Sequence, residues 1–184
     1  MKKRLLYLAD LTHTGQSIAS NVFPLAIGLM ASYINETSGQ KYEIELFKYP
    51  EDLNKALKNR MPDVLGFSNY SWNCHLSYQF AKRVKKLSPK TTVLFGGPNY
   101  GSTDHEIQGF WSRYPKLDFY IFKEGEVALT KLLERLEKYN FEVKELKNSE
   151  EAIAELIIKY ICSDQGNFIT GSNFVIDGGT LKGI

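Results

Sequence analysis

Asp63-Val-Leu-Gly-Phe-Ser-Asn-Tyr70 is an apolar run that ends in hydrogen-bonding residues. Two later stretches follow the same plan, Thr91-Thr-Val-Leu-Phe-Gly-Gly-Pro98 and Asp118-Phe-Tyr-Ile-Phe-Lys-Glu-Gly125. Short, nearly continuous apolar runs are typical of parallel strands that are buried on both faces. In an open parallel sheet a ligand lies at the carboxyl ends of the strands. The small and polar residues that end these runs therefore predict a binding site.

Strands and helices alternate on both sides of these runs. The predicted strands are Leu5–Ala9, Tyr42–Phe47, Val64–Ser68, Thr92–Phe95 and Phe119–Phe122. The predicted helices are Ser17–Glu36, Glu51–Asn59, Cys74–Leu87, Asp104–Arg113 and Glu126–Tyr139. This alternation predicts an α/β fold with right-handed crossovers and helices on both faces. We expect a flavodoxin-like (Rossmann-like) five-stranded parallel sheet of order 2-1-3-4-5, plus a C-terminal helix-strand appendage.

Composition and charge limit the classes of partner. Of the 184 residues 43% are hydrophobic, and 23 basic against 21 acidic residues leave a net charge of +2. Because the basic and acidic residues are nearly balanced, the composition does not indicate binding to nucleic acid or to an anionic membrane surface. The apolar stretch Val22–Ile34 is interrupted by Pro24 and is shorter than the ~20 residues that span a bilayer. No signal peptide precedes Cys74 and Cys162, so we expect reduced thiols in a cytoplasmic protein.

Two domains are predicted, with a boundary near residue 147. Residues 1–147 hold the alternating elements, and residues 148–184 form a tail. The polar stretch Phe141–Asn148 is typical of a linker. Ser149 is a candidate N-cap for a following amphipathic helix, and Phe168–Gly179 predicts a turn, a short strand and a glycine turn.

Candidate ligand-binding residues follow the predicted strands. The first loop, Asp10-Leu-Thr-His-Thr-Gly15, offers an acid, hydroxyls, a histidine and a glycine where a strand meets its helix. The full predicted cofactor-binding set is Asp10, Thr12, His13, Gly15, Ser68, Asn69, Tyr70, Gly96, Gly97, Pro98, Glu124 and Gly125. Because the order 2-1-3-4-5 brings the first, third and fourth strand ends to the switch point, we expect Asp10, Ser68 and Gly96 to converge.

Each of these loops also has a structural alternative. Ser68 and its neighbours can cap the next helix, and Glu124 favours a helix N-terminus whatever the ligand. Gly96-Gly97 can form a tight turn with positive φ, or let the backbone approach a bulky ligand closely. The residues alone leave both alternatives open.

Four segments together resemble the N-terminal cobalamin-binding domain of radical S-adenosylmethionine enzymes. They are Phe23-Pro-Leu25, Val64–Asn73, Val93–Asn99 and Tyr120–Glu126, and the resemblance covers residues 1 to about 147. It implies a corrinoid, a metal-containing small molecule, as the ligand at the converging strand ends. The module would belong to a radical S-adenosylmethionine protein.

The first loop departs from the pattern of the cobalamin-binding fold, Asp-x-His-x-x-Gly. Asp10 and Gly15 keep the spacing, but Thr12 holds the histidine position and His13 comes one place later. In the family that histidine is the lower axial ligand of cobalt. The resemblance therefore implies a corrinoid bound without histidine ligation, or no corrinoid, and His13 is a candidate for a displaced cobalt ligand. Ser68 keeps the serine of the family's Ser-x-Leu motif, Tyr70 replaces its leucine, and Gly96-Gly97 keeps the family's Gly-Gly motif.

The cysteine content bears on catalysis. The radical enzymes need a Cys-x-x-x-Cys-x-x-Cys motif, and this sequence has two distant cysteines. We therefore expect no iron–sulfur cluster and no catalysis by this chain alone.

The tail resembles a different family, the C-terminal end of short-chain dehydrogenases, over residues 149–184. That resemblance implies a chimera, natural or engineered, and a homodimer formed through the tail. It also raises the alternative of an NAD(P)-dependent oxidoreductase, for which Tyr78-x-x-x-Lys82 matches the catalytic pattern. The glycine-rich dinucleotide turn is incomplete, since Ala19 and Asn21 interrupt it. A third alternative is an interaction protein with a vestigial cofactor site.

Overall fold

The computed structural model describes residues 3–14, 23–122 and 124–149, and these contain a five-stranded parallel sheet. The strands are β1 (Arg4–Ala9), β2 (Tyr42–Phe47), β3 (Val64–Ser68), β4 (Thr92–Gly96) and β5 (Phe119–Ile121). Their order is β2-β1-β3-β4-β5, with every neighbouring pair parallel. The predicted α/β class and sheet order are confirmed. The predicted C-terminal appendage lies outside the described residues.

Six described helices accompany the sheet. They are α1 (Leu25–Thr37), α2 (Pro50–Asn59), α3 (Cys74–Leu87), α4 (Asp104–Arg113), α5 (Gly125–Lys138) and α6 (Val143–Lys147). The chain divides into two compact units, residues 1–141 and 142–184, and α6 lies in the second. The predicted domain boundary near residue 147 stays a prediction. Among the described residues, no helix has both the length and the apolarity to cross a membrane.

Two element predictions were wrong in detail. The first helix begins at Leu25, so Phe23 and Pro24 precede it instead of lying inside it. A residue before proline is pushed out of the helical region, which explains the late start. The second difference is α6, because the stretch predicted as a linker forms a short helix over Val143–Lys147. Its alternating apolar residues are three positions apart, which also suits one turn of helix.

Helices pack on both faces of the sheet. The β1, β3 and β4 side chains on one face pack with residues of α2, α3 and α4, including Leu53, Ala81 and Phe110. On the other face, α1 and α5 contact each other. Because β1 and β3 are internal strands of the sheet, each has a neighbouring strand on both sides. In open parallel sheets the carboxyl edge is where ligands bind.

Two aspartates at the opposite, amino edge of the sheet link neighbouring strands by hydrogen bonds. Asp63 accepts hydrogen bonds from the Leu5 backbone N–H at 2.8 Å and from the Arg4 guanidinium at 2.8 Å. Asp118 accepts one from the Val93 backbone N–H at 2.7 Å and forms an ion pair with Lys85 at 2.5 Å. Each carboxylate precedes one strand and pairs with the start of a neighbouring one. They fix the strand register far from the carboxyl edge.

Candidate functional site

The ends of β1, β3 and β4 meet at one edge of the sheet, as the strand order requires. Ser68 is the register partner of Gly96, and the Asn69 backbone N–H donates to the Gly96 carbonyl at 2.6 Å. Asp10, just past β1, accepts a bond from the Asn73 side chain at 3.5 Å. The predicted convergence is therefore present in the geometry. A binding role for these residues stays a prediction.

Gly97 is the most constrained residue of this edge. Its φ of +124° lies in a region that other residues rarely adopt. A Cβ added here would lie 2.9 Å from the Asn69 carbonyl oxygen, which is closer than real Cβ contacts. The turn backbone thus rests directly on the backbone at the end of β3. Only glycine fits this arrangement without movement of the main chain.

A buried asparagine joins the two strand ends. Asn69 is fully buried, and its side-chain amide donates to the Asn99 carbonyl at 2.9 Å and to the Tyr120 hydroxyl at 3.3 Å. The Asn99 amide donates in return to the Asn69 side-chain oxygen at 3.3 Å. Tyr120 then donates to the Gly97 carbonyl at 2.8 Å. Sequence reasoning missed Asn99 and Tyr120, and only the asparagine directly after Gly-Gly-Pro offered a signal.

We expect stability to fall as the pH rises above about 10, partly through Tyr120. Burial raises the pKa of Tyr120 to about 12, although the bond from Asn69 favours the ionised form. Because the pKa is higher in the folded state, the stabilising contribution is complete below the unfolded pKa of 10.0 and is lost as the pH rises toward 12. Urea unfolding at a series of alkaline pH values measures this loss. The loss of stability at alkaline pH should be smaller in Tyr120→Phe than in the starting protein. An equal loss in both would contradict the contribution of the Tyr120 hydroxyl.

A cleft opens at the same edge, between α1 and α5 on one side and the sheet on the other. It holds about 610 Å³ of empty space, its open mouth included. Its lining is mostly apolar or small: Leu8, Ala26, Ile27, Met30, Gly66, Phe67, Ser68, Tyr70, Leu94, Gly96, Gly97, Ile121, Gly125, Glu126 and Leu129. A Cβ on Gly125 would lie 2.7 Å from the Met30 sulfur, and one on Gly66 would lie 3.0 Å from Leu8. These two glycines thus let neighbouring side chains of the cleft wall pack directly against the backbone.

The first loop lies beside this cleft and is partly buried. Thr12, at the position of the family histidine, is buried, and its backbone N–H donates to the Lys48 carbonyl at 3.0 Å. Burial raises the pKa of the Asp10 carboxyl, while the Lys48 ammonium opposes that rise. The His13 Nε2 is 2.9 Å from the Trp72 carbonyl oxygen. Gly15 lies outside the described residues.

Two aromatic rings stand between the first loop and the cleft. Tyr70 lines the cleft, and the Trp72 indole stacks on it with ring centroids 4.4 Å apart and planes 9° from parallel. Trp72 is 62% exposed, so this pair presents a flat apolar surface to solvent. Sequence reasoning named Tyr70 as a candidate residue and did not single out Trp72. An exposed tryptophan close behind a strand end was the available signal.

The remaining predicted residues have varied positions. Pro98 and Glu124 are exposed, and Glu124 is the N-cap of α5 without a side-chain capping bond. Tyr78 and Lys82 lie on α3, with the Lys82 ammonium 5.5 Å from the centre of the Tyr78 ring. The Tyr78 ring packs edge-on against Tyr114 at 4.9 Å. Neither Tyr78 nor Lys82 lines the cleft.

Two curated proteins are similar in sequence to part of this chain. The chain is 31% identical over 118 residues to the 2-(S-pantetheinyl)-carbapenam-3-carboxylate methyltransferase of Streptantibioticus cattleyicolor, covering 61% of this chain and 17% of that protein. It is 32% identical over 117 residues to the cobalamin-dependent radical SAM methyltransferase TokK of Streptomyces tokunonensis, covering 60% of this chain and 16% of that protein. The chain thus spans a small part of the length of these relatives.

Solved structures extend the likeness in fold. The phosphoreceiver domain of Escherichia coli RcsC superposes with a TM-score of 0.50 at 15% identity, over 80% of this chain and 94% of that one. A signal receiver domain from Pseudomonas fluorescens gives a TM-score of 0.49 at 13% identity, over 79% and 95%. At such identities the RcsC likeness shows the flavodoxin-like fold and nothing about ligands.

A family match finally connects the fold to a cofactor class. Residues 14–133 match the B12 binding domain, a span that includes Ser68, Gly96, Gly97 and Gly125. The resemblance of residues 149–184 to short-chain dehydrogenases falls outside both this span and the described residues. Because the match covers more than half of the chain, the protein belongs to the B12-binding domain family.

Proposed function

We propose that this chain is the cobalamin-binding module of a radical S-adenosylmethionine protein that transfers methyl groups, and that it is not catalytic alone. The names of its two relatives support this, since both are methyltransferases and one is named as cobalamin-dependent and radical. The chain covers only 17% and 16% of those proteins. The methyl transfer of the whole protein would therefore use parts beyond these 184 residues.

The observation that carries the proposal is the glycine-lined cleft at the carboxyl edge. A corrinoid is bulky and largely flat, and it needs a surface from which side chains are absent. Gly96, Gly97 and Gly125 line the cleft without side chains of their own, and Ser68 adds a hydroxyl at the same edge. Tyr70 and Trp72 would pack against an apolar part of the ligand. When bound, the corrinoid would supply a cobalt centre able to carry a methyl group.

The residues present fit a corrinoid held by shape and hydrogen bonds. Thr12 stands where the family has its histidine, and its short side chain has no imidazole to offer cobalt. No cluster of three or more metal-binding side chains occurs in the described parts of the chain. Affinity would then come from contact area and from the preorganised Gly97 turn.

Radical chemistry would come from residues outside this sequence. Cys74 is buried and free, and the other cysteine of the sequence is Cys162. Two thiols do not make the three-cysteine motif of the radical enzymes. We therefore assign to this chain the binding and orientation of the cofactor, with catalysis left to a separate domain or partner.

Hydroxocobalamin titration tests the proposal directly. We expect the protein to retain the corrinoid through a desalting column, with the visible bands of the corrinoid co-eluting with protein absorbance. Titration at high micromolar corrinoid without any retention would reject the proposal. A folded flavodoxin of similar size serves as the control for non-specific carry-over.

The dehydrogenase alternative has its own test. The described residues give it little support, because Tyr78 packs its ring on Tyr114 and neither it nor Lys82 lines the cleft. NADH fluorescence should stay unchanged when protein is added, whereas enhanced emission would favour this alternative. Light scattering tests the predicted homodimer, and a stable dimer that binds neither ligand would favour the interaction protein.

A further inference from the structure

We propose that His13 is a positioning residue, which ties the loop after β1 to the loop that carries Trp72 and so fixes the aromatic wall of the site. The assignment gives the displaced histidine a role in hydrogen bonding in place of cobalt ligation. Its effect on corrinoid affinity rests on the proposed function, whereas its effect on Trp72 does not.

The first step concerns the protonation of the ring. The His13 Nε2 lies 2.9 Å from the Trp72 carbonyl oxygen, and a carbonyl oxygen can only accept a hydrogen bond. Nε2 must therefore carry a proton, either in the neutral ring or in the imidazolium. A nitrogen that donates in this way has no lone pair for a metal. While the bond persists, Nε2 of His13 is not a cobalt ligand.

A second bond joins the same two loops next to the first. The Asn73 amide donates to Asp10 at 3.5 Å, and its side-chain oxygen accepts from the Tyr70 backbone N–H at 2.9 Å. Asn73 is fully buried, and the two bonds are partly shielded from water. The loop of Trp72 is thus held at successive residues, by His13 at the Trp72 carbonyl and by Asp10 at Asn73.

The position of Trp72 depends on such hydrogen bonds to its loop. Its indole is 62% exposed, so the protein core does not enclose it. The stack on Tyr70 at 4.4 Å depends on the path of the backbone between residues 70 and 72. The His13 bond to the Trp72 carbonyl lies at an exposed position, so in its absence we expect water to take the place of the imidazole and the local backbone to become less fixed. The indole would then leave the nearly parallel stack, and the flat surface beside the cleft would be lost.

The experiment uses the full chain with Trp111→Phe as the background. The sequence has two tryptophans, so Trp72 then reports alone. We expect His13→Ala to lower the fluorescence anisotropy of Trp72 and shift its emission in protein without ligand. We also expect it to weaken hydroxocobalamin binding by roughly 3- to 10-fold, the value of one hydrogen bond. His13→Gln should restore both, because its amide can donate to the Trp72 carbonyl but is a poor cobalt ligand.

Three results would overturn the assignment. One is unchanged Trp72 anisotropy and emission in His13→Ala. Another is failure of His13→Gln to restore the Trp72 signal. The third is nitrogen splitting in the electron paramagnetic resonance spectrum of bound cob(II)alamin that disappears in His13→Gln, since this would make His13 a ligand. His105→Ala, at an exposed histidine of α4, is the matched control and should change nothing.

The test separates this inference from the proposed function. If the starting protein retains no corrinoid while Trp72 responds to His13→Ala and is rescued by His13→Gln, the proposed function fails and the tie between the loops stands. If corrinoid is retained and Trp72 does not respond, the proposed function stands and the role of His13 fails.

Discussion

Gly97→Ala is expected to abolish corrinoid retention and to lower the free energy of unfolding by about 1–3 kcal/mol. The added Cβ would lie 2.9 Å from the Asn69 carbonyl oxygen, at a φ of +124°. The obstructing atom is backbone at the end of β3, so relief requires the turn to move away from that strand. Such a movement would break the Tyr120 bond to the Gly97 carbonyl and change the surface that faces the ligand. Urea unfolding and hydroxocobalamin titration measure the two effects.

Gly39→Ala provides the matched control for Gly97. Gly39 also has a positive φ, of +61°, but a Cβ there would meet no atom within 4 Å. It lies between α1 and β2, away from the carboxyl edge. We expect a loss of about 1 kcal/mol from the left-handed backbone and unchanged corrinoid retention. If Gly97→Ala retained corrinoid as well as Gly39→Ala does, the Gly97 turn would not be part of the binding surface.

The fold could be predicted because its strands are buried on both faces. Residues of β3 and β4 are almost all apolar and end at small residues, so both strands were predicted to within one residue. The β-α alternation then left few topologies, and the observed order is the expected one. The start of α1 was harder, because a helical composition continues across Phe23 and Pro24 where the backbone is not helical. The backbone geometry imposed by Pro24 sets this boundary, although the composition of the segment favours a helix.

Only the site residues that lie at the ends of the strands could be predicted from the sequence. Asp10, Ser68 and Gly96 follow from the strand order, since parallel strands end at a common edge. Asn99 and Tyr120 do not, because they act through bonds to Asn69 that span 30 and 51 residues of sequence. No local pattern encodes such pairs. The same holds for His13, whose partner Trp72 is 59 residues away and is contacted through its main chain.

The glycines and polar residues of the carboxyl edge therefore fall into two groups, according to whether strand register or hydrogen bonds between loops set their positions. Gly96 and Ser68 continue the strands, and their positions depend on register alone. Gly97 and Asn69 lie past the register, and hydrogen bonds between loops set their geometry. A change to the second group should therefore alter ligand binding more than it alters stability. At the amino edge, where no ligand is proposed, the opposite is expected.

Asp118→Ala is the corresponding prediction for the amino edge, with an expected loss of about 3–5 kcal/mol in the free energy of unfolding. Lys85 and Asp118 are each only 15% exposed and lie 2.5 Å apart. Without the carboxylate, the Lys85 ammonium would keep its bond to the Thr91 carbonyl at 2.8 Å but lose its counter-charge. The Val93 N–H would lose an acceptor as well. Chemical denaturation of the variant measures the loss.

An exposed ion pair shows whether burial is the cause. Arg60 and Glu43 lie 2.6 Å apart but are 42% and 47% exposed, so Glu43→Ala should lower the free energy of unfolding far less than Asp118→Ala does. Asp118→Asn should fall between the two variants, because the amide oxygen can still accept from Val93 while the charge is absent. The folded fraction of Asp118→Ala should retain corrinoid normally, since this carboxylate precedes β5 at the far end of the sheet from Gly97. Equal stabilities of Asp118→Ala and Glu43→Ala would mean that water screens the Lys85 pair as fully as the exposed one, and that backbone bonds alone hold the β4–β5 register.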